Sequence, residues 1–418
     1  MPNEFVENKI PSVVFTSEMA KDYTILMPSM LPLHFELLEV VLNKHGYHVV
    51  RLTNEERTAV EQGVRFVHND ACYPAICVIG QFLEALQSGK YDVNKTALIY
   101  IQTGGGCRAS NYVSLLKKAL QRSGMPQVPV IAVNFTGLEK QPGFKITIRM
   151  MFDIFKAVVY GDLLMALRNQ CLVREINKGE TDEVTRRWIE KLSAQLGGGS
   201  PSLRKLRKTM AEIEKDFEKI ERGPEVPRVG IVGEIYVKYS PLGNNGLEAF
   251  LHSEGAETVV PGVLDFCYYF IYNICNDYAL YDMNKRTIPV WRYAKHMLEK
   301  LKDDMNEIIG RSGHFIAFSS YEHLVKLAQE TRLVGTGLKM GEGWLLPAEM
   351  MELCDMGVNN IVCTQPFGCL PNHIIGKGMM RPIKERNPEA NIVAIDYDPG
   401  ASAINQENRL KLMLANKK

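Results

Sequence analysis

This 418-residue sequence predicts an α/β protein with two doubly wound parallel sheets and a helical region between them. Three observations predict it. Two stretches of the chain alternate short apolar runs with amphipathic ones, the rhythm of βαβ units. The segment that separates them is charged and favours helix. Three cysteine-bearing segments, HNDACYPA at 68–75, TGGGCRAS at 103–110 and TQPFGCLPNH at 364–373, lie just after a predicted strand or just before a predicted helix. In open parallel sheets, residues at such positions face the ligand crevice.

In chain order, YTILMP opens the first alternation, followed by a helix over 34–45, the strand YHVVRL and a helix over 74–88. TALIYIQ, a helix over 110–122 and VPVIAV complete a first α/β domain at 1–144. Residues 145–226 read as a helical region, with charged helices interrupted by the loop signal GGGSP at 197–201. The strand RVGIVGEI opens a second α/β domain at 227–418. A helix over 244–254, AETVV, a mostly helical insertion over 262–331 and GVNNIVCTQ follow, then a helix over 373–386, NIVAIDYD and a closing helix over 402–415.

Composition narrows the function. Forty-nine basic residues against 48 acidic ones leave no basic stripe for nucleic acid. No apolar run is long enough to span a membrane, and the N-terminal residues lack a signal-peptide pattern, so the expected location is the cytoplasm. In that reducing setting the nine cysteines are expected to stay out of disulfides, which leaves thiols free for metal or redox chemistry.

Cys72 precedes Pro74 at a helix start, where free N–H groups and the positive end of the helix dipole favour a thiolate. Gly104, Gly105 and Gly106 precede Cys107 and let the backbone pass close to a bulky group, a cofactor-binding role. Cys369 lies in the loop before Pro371, and Cys363 stands at the end of the strand NNIVC. Cys77 and Cys354, inside helices, and Cys171, expected just after one, read as packing residues. Cys267 and Cys275 flank the aromatic run YYFIYN, which reads as core or a homodimer contact. His373, four residues after Cys369, and Glu234, at the end of GIVGE, are the candidate acid/base groups, each with a plainer reading as a helix cap or surface residue. Structural zinc fits poorly, because the cysteines come singly and not as CxxC pairs.

The segments NDACYPA, QTGGGCRASNY, GEIYVKYSPLGNN, GEGWLLPAEM, QPFGCLPNHIIGKGM and IDYDPGASAINQ together resemble the 2-hydroxyacyl-CoA dehydratase and benzoyl-CoA reductase superfamily. The resemblance runs from about residue 22 to 415. It is strongest to the branch found as the C-terminal part of large acyl-CoA dehydratase activase-related proteins, with the double-cubane cluster proteins as further relatives. It implies Rossmann-like domains with an oxygen-sensitive iron–sulfur cluster in the cleft. A [4Fe–4S] cluster is expected, with an eight-iron double cubane as the alternative. The implied ligands are Cys72, Cys107 and Cys369, with Cys363 as a fourth candidate. The implied partner is an ATP-hydrolysing [4Fe–4S] activator that delivers single low-potential electrons, and the implied substrate is a small molecule such as an acyl-CoA thioester. No P-loop GxxxxGK[ST] occurs here, so the chain is expected to be the electron acceptor alone. A non-catalytic relay that docks to the same activator is the rival expectation.

Overall fold

The computed structural model describes residues 13–68, 71–102, 106–133, 141–330 and 333–415. The chain forms two compact units, Met1–Ser29 with Gly46–Thr147, and Met30–His45 with Ile148–Lys418.

The first unit holds β1 (Thr24–Met27), β2 (Val49–Arg51), β3 (Thr96–Ile101) and β4 (Val130–Val133), in the order β2-β1-β3-β4. All pairs are parallel, with Ile25 opposite Val49 and Ala97 and with Leu98 opposite Val130. These strands read as apolar runs because helices cover both faces of a parallel sheet. Two helices, Arg57–Phe66 and Tyr73–Gln87, lead from β2 to β3. They cross at backbone contact: a Cβ on Gly80 would come within 1.9 Å of the Ala59 carbonyl oxygen. The first of these helices, which is short and polar, is absent from the sequence reading.

The second unit repeats the topology. β5 (Arg228–Gly233), β6 (Glu257–Val259), β7 (Asn360–Pro366) and β8 (Asn391–Tyr397) form a parallel sheet in the order β6-β5-β7-β8. Cys363 of β7 is opposite Val232 and Ala394. The expected pair of parallel-sheet α/β folds is therefore what the chain adopts.

The helices divide differently from the three segments drawn from the sequence. Helices Ile148–Leu172, Glu180–Gly198 and Leu203–Glu218 share one apolar core with the helices of the second sheet's unit, so 145–226 is not a body of its own. Helix Pro32–Lys44 also belongs to this core, because Leu37 and Val41 pack among its buried side chains. Helix Leu203–Glu218 shows the cause: Leu206, Met210, Ile213 and Phe217 form one buried stripe at helical spacing.

Two local readings are corrected. Cys171 lies inside helix Ile148–Leu172, not after it. The expected helix over 373–386 is split into a π-helical turn, Asn372–Lys377, and helix Gly378–Arg386. The apolar run 266–275 lies in helix Val263–Tyr281, where Tyr268, Tyr269 and Ile271 are buried and Phe270 is 43% exposed. Tyr268 stacks on Tyr321 at 3.9 Å between ring centres, and Tyr269 lies 5.1 Å from Trp344.

Candidate functional site

Both sheets have the strand order that places a switch point between the first and third strands of the unit, where ligand crevices open beyond the strand ends. In the first unit that edge carries two of the expected cysteines. Cys72 is the N-cap of helix Tyr73–Gln87 and is buried, with 6% exposure. The Tyr112 hydroxyl donates to its sulfur at 3.2 Å. Tyr112 in turn stacks on Tyr100 of β3, with ring centres 5.6 Å apart. Cys107 follows β3 by six residues and heads the 3₁₀ turn Arg108–Asn111, its sulfur accepting from the Ala109 N–H at 3.5 Å. Gln102 fixes the start of the turn by donating to the Ser110 carbonyl at 2.7 Å. Gly104 and Gly105 lie outside the described residues, and Gly106 is an exposed turn residue.

The second unit's switch point lies between β5 and β7. Gly233 ends β5 with φ of 143°, and a Cβ there would sit 2.2 Å from the Thr364 carbonyl oxygen of β7. This close approach turns the chain so that Glu234 caps the short helix Ile235–Tyr239, its carboxylate accepting from the Val237 N–H at 2.9 Å. A second carboxylate meets the same helix start: Glu342 accepts from the Ile235 N–H at 3.1 Å. Burial raises the pKa of both, and the Glu342 charge raises Glu234 further, to about 8. Glu234 is thus both a helix cap and a carboxyl poised to hold a proton at neutral pH.

Beyond β7, Cys369 is buried, and its N–H bonds the Pro366 carbonyl at 3.2 Å. The side-chain amide of Asn372 donates to the Cys369 sulfur at 3.7 Å. Asn372 is itself held through its carbonyl, which accepts from Gln365 at 3.2 Å. Pro371 packs where a Cβ on Gly341 would meet its ring at 2.9 Å, which ties the Cys369 loop to the residue before Glu342. His373 is exposed on the π-helical turn, its N–H bonded to the Cys369 carbonyl at 3.2 Å. Phe367, Leu370 and Ile374 expose apolar side chains around this loop.

The other cysteines differ in setting. Cys363 is fully buried in mid-strand, and burial pushes its thiol up to about 12. Burial does the same to Cys171 and Cys267, each to about 12, and moves Cys354 to about 11. Cys77 is buried inside helix Tyr73–Gln87. Among the described residues, no three His, Cys, Asp or Glu side chains gather closely enough to hold a metal ion. Also among the described residues, no helix is long and apolar enough to cross a membrane.

No protein-family model and no curated protein matches this chain. Glu342, Tyr112 and Asn372 are absent from the sequence reading as site residues. Glu342 stands in the quoted segment GEGWLLPAEM, but nothing in its spacing signals that it meets the helix after β5.

Proposed function

We propose that this chain is the electron-accepting component of an ATP-dependent low-potential reductase or dehydratase system. In this reading an iron–sulfur cluster is held by Cys72, Cys107 and Cys369 and serves a small substrate, with an acyl-CoA thioester as the leading class. One observation carries it. Each of these three cysteines begins a turn or helix beyond a parallel sheet, and each sulfur accepts from a neighbouring donor, Tyr112, the Ala109 N–H or Asn372. Donors on sulfur favour the thiolate and tune the potential of any cluster it holds. Cys363, central in a strand with its thiol pushed up to about 12, fits a packing role better. When bound, the cluster would supply one-electron chemistry. The chain's own residues would set thiol geometry and solvent access, and would hold protons at Glu234 and Glu342.

Those two buried carboxyls favour a catalytic component over a bare relay, because electron relay alone needs no proton donor at the same strand edge. The partner implied by the reading is an ATPase that delivers single electrons.

Iron and sulfide assays on anaerobically purified protein, with the visible spectrum, test the reading. Iron with matching sulfide is expected in the parent and a loss of most of it in Cys72→Ala, Cys107→Ala and Cys369→Ala. A parent without iron, or three variants with undiminished iron, would overturn it. Binding of an acyl-CoA by the iron-loaded protein separates catalyst from relay.

A further inference from the structure

Three basic side chains of the second unit converge on one acid. Lys44, the last residue of helix Pro32–Lys44, donates to Asp153 Oδ2 at 2.9 Å, and His45 Nε2 donates to the same oxygen at 3.1 Å. Lys156, three residues further along helix Ile148–Leu172, lies 3.6 Å from Asp153 Oδ1 and donates to the Ser200 hydroxyl. The Asp153 side chain is fully buried, and those of Lys44, His45 and Lys156 keep only 12%, 14% and 11% of their surface exposed. Arg149, four residues before Asp153, is exposed and forms no ion pair with a described residue. Lys44, Lys156 and Arg149 are thus three cations against one carboxylate, before His45 is counted. The first turn of helix Ile148–Leu172 carries no acid, so these cations gather at a helix start whose dipole is already positive. Burial acts first to lower the Lys156 pKa; Asp153 opposes it, and the Lys44 and Arg149 charges lower it further.

The loop GGGSP at 197–201 meets this cluster through Ser200. Gly199 ends helix Glu180–Gly198 in extended backbone, with φ 170° and ψ 166°, and its N–H makes no capping hydrogen bond. A Cβ on Gly198 or on Gly199 would meet no atom within 4 Å, and neither residue has the positive φ that favours glycine. Neither packing nor backbone geometry asks for glycine at these two positions, and glycine carries an entropic cost. What the glycines do provide is open backbone beside Ser200, with an N–H donor that a bulky anion can reach. Helix Leu203–Glu218 follows and also opens without an acid, on Arg204 and Lys205.

We propose that Lys44, Lys156, Arg149 and the Gly199–Ser200 turn form a binding site for a phosphate group, with Asp153 holding the two ammonium groups in position. Lys44 uses one of its three N–H donors on a described residue and Lys156 uses at most two, so directed donors remain on both. A phosphate ester has three terminal oxygens and about 1.5–2 negative charges at pH 7. That charge matches the two cations left over once Asp153 is subtracted from the three. A carboxylate, with one charge and two oxygens, would leave one of them uncompensated. The site uses none of the cysteines, so iron content tells its failure apart from failure of the cluster reading. Inorganic phosphate and a phosphate ester such as CoA share this chemistry.

Equilibrium dialysis of the full-length protein against radiolabelled inorganic phosphate, at physiological salt, tests the site. Saturable binding is expected in the parent, weakened about ten- to hundredfold in Arg149→Glu and in Lys156→Gln, as for loss of a charged hydrogen-bond donor. Arg149 is exposed and has no described partner acid, so its variant tests the site even where Lys156→Gln fails to fold. Competition by CoA but not by dephospho-CoA would assign the 3′-phosphate of an ester, competition by both the pyrophosphate, and competition by neither the free ion; each outcome keeps the site. A parent that takes up no phosphate saturably, or an Arg149→Glu variant that binds it as tightly as the parent, would overturn the proposal.

Discussion

Replacing Lys238 by Met should be among the most damaging single substitutions in the second unit, and its cost should depend on pH in a defined direction. Lys238 is 4% exposed and Glu349 1%, so neither charge has water to fall back on. Met keeps much of the apolar stem but removes both hydrogen bonds to Glu349. Breaking a buried pair from one side leaves the other charge uncompensated, which costs about 3–5 kcal/mol. Glu349 already sits at about 6 with Lys238 pulling it down, so losing that pull moves it higher. A carboxyl raised in the folded state stabilises folding fully below its unfolded value near 4.5, and that contribution is lost as pH rises through the folded value. The penalty in Lys238→Met should therefore be large at pH 8 and shrink at pH 5, to about the 1–2 kcal/mol of the lost hydrogen bonds. Urea unfolding followed by tryptophan fluorescence reads this unit specifically, since Trp188, Trp291 and Trp344 all lie in it. The double variant Lys238→Met, Glu349→Leu should recover most of the loss at pH 8. A Lys238→Met cost below about 1 kcal/mol at pH 8, or one equal at both pH values, would refute the claim that a buried, uncompensated carboxylate governs it.

Asp153 tests the opposite sign. Burial opposes its charge, but hydrogen bonds from Ser200, Lys44 and His45 hold it down to about 2. Its contribution should be present above about pH 4 and lost as pH falls towards 2, so Asp153→Asn should flatten the acid limb of a stability profile, a span worth about 2 kcal/mol. Gly233→Ala should destabilise the second unit by about 3 kcal/mol or more, since its Cβ would meet a backbone oxygen of the neighbouring strand at 2.2 Å. Thermal unfolding within a degree or two of the parent would show that β5 and β7 can part there. Cys363→Ala should keep its iron under the proposed reading, whereas loss of iron on that substitution would restore Cys363 as a ligand. Cys354→Ala should also keep its iron, at a stability cost of about 1 kcal/mol.

The parallel strands were legible because each is a short apolar run, and the amphipathic helices because each shows one stripe, as Leu206, Met210, Ile213 and Phe217 do. Helix Arg57–Phe66 was not, since its buried face is Ala59, Val60 and Gly63, two of them small, and offers no run of large apolar side chains. The π-helical turn at Asn372–Lys377 has no sequence period of its own; the hydrogen bonds around Cys369 and Gln365 accompany it. Long-range pairing was the larger blind spot. Lys238 and Glu349 are 111 residues apart, and Glu342 meets the Ile235 N–H across 107. No local pattern encodes such pairs, because burial of a charge is decided by which helices cover it. Turn positions beside Gly and Pro set Cys107 and Cys369 apart from sequence, whereas Cys363, expected at a strand end, lies in the middle of β7 because that strand runs on to Pro366.

The two sheets share one strand order, and in each the third strand of the unit is followed within six residues by a cysteine that starts a turn or loop, Cys107 after β3 and Cys369 after β7. What surrounds those cysteines is not shared. The first unit carries a second candidate thiol, Cys72, whose sulfur accepts from Tyr112, a residue five positions after Cys107 that stacks on Tyr100. At the corresponding edge the second unit places Glu234 and Glu342 on one helix start, with two buried lysine pairs behind them. Under the proposed function this asymmetry divides the chemistry: thiols on both sheets serve the electrons, and the second sheet alone adds the Glu234 and Glu342 carboxyls for the protons. Grafting the difference is therefore informative. Glu234→Gln keeps an oxygen acceptor for the Val237 N–H, so it removes a proton and leaves the helix cap. If proton supply is the role of the second sheet, that variant should keep its iron and its fold while turnover of substrate falls and its pH profile loses the limb near 8.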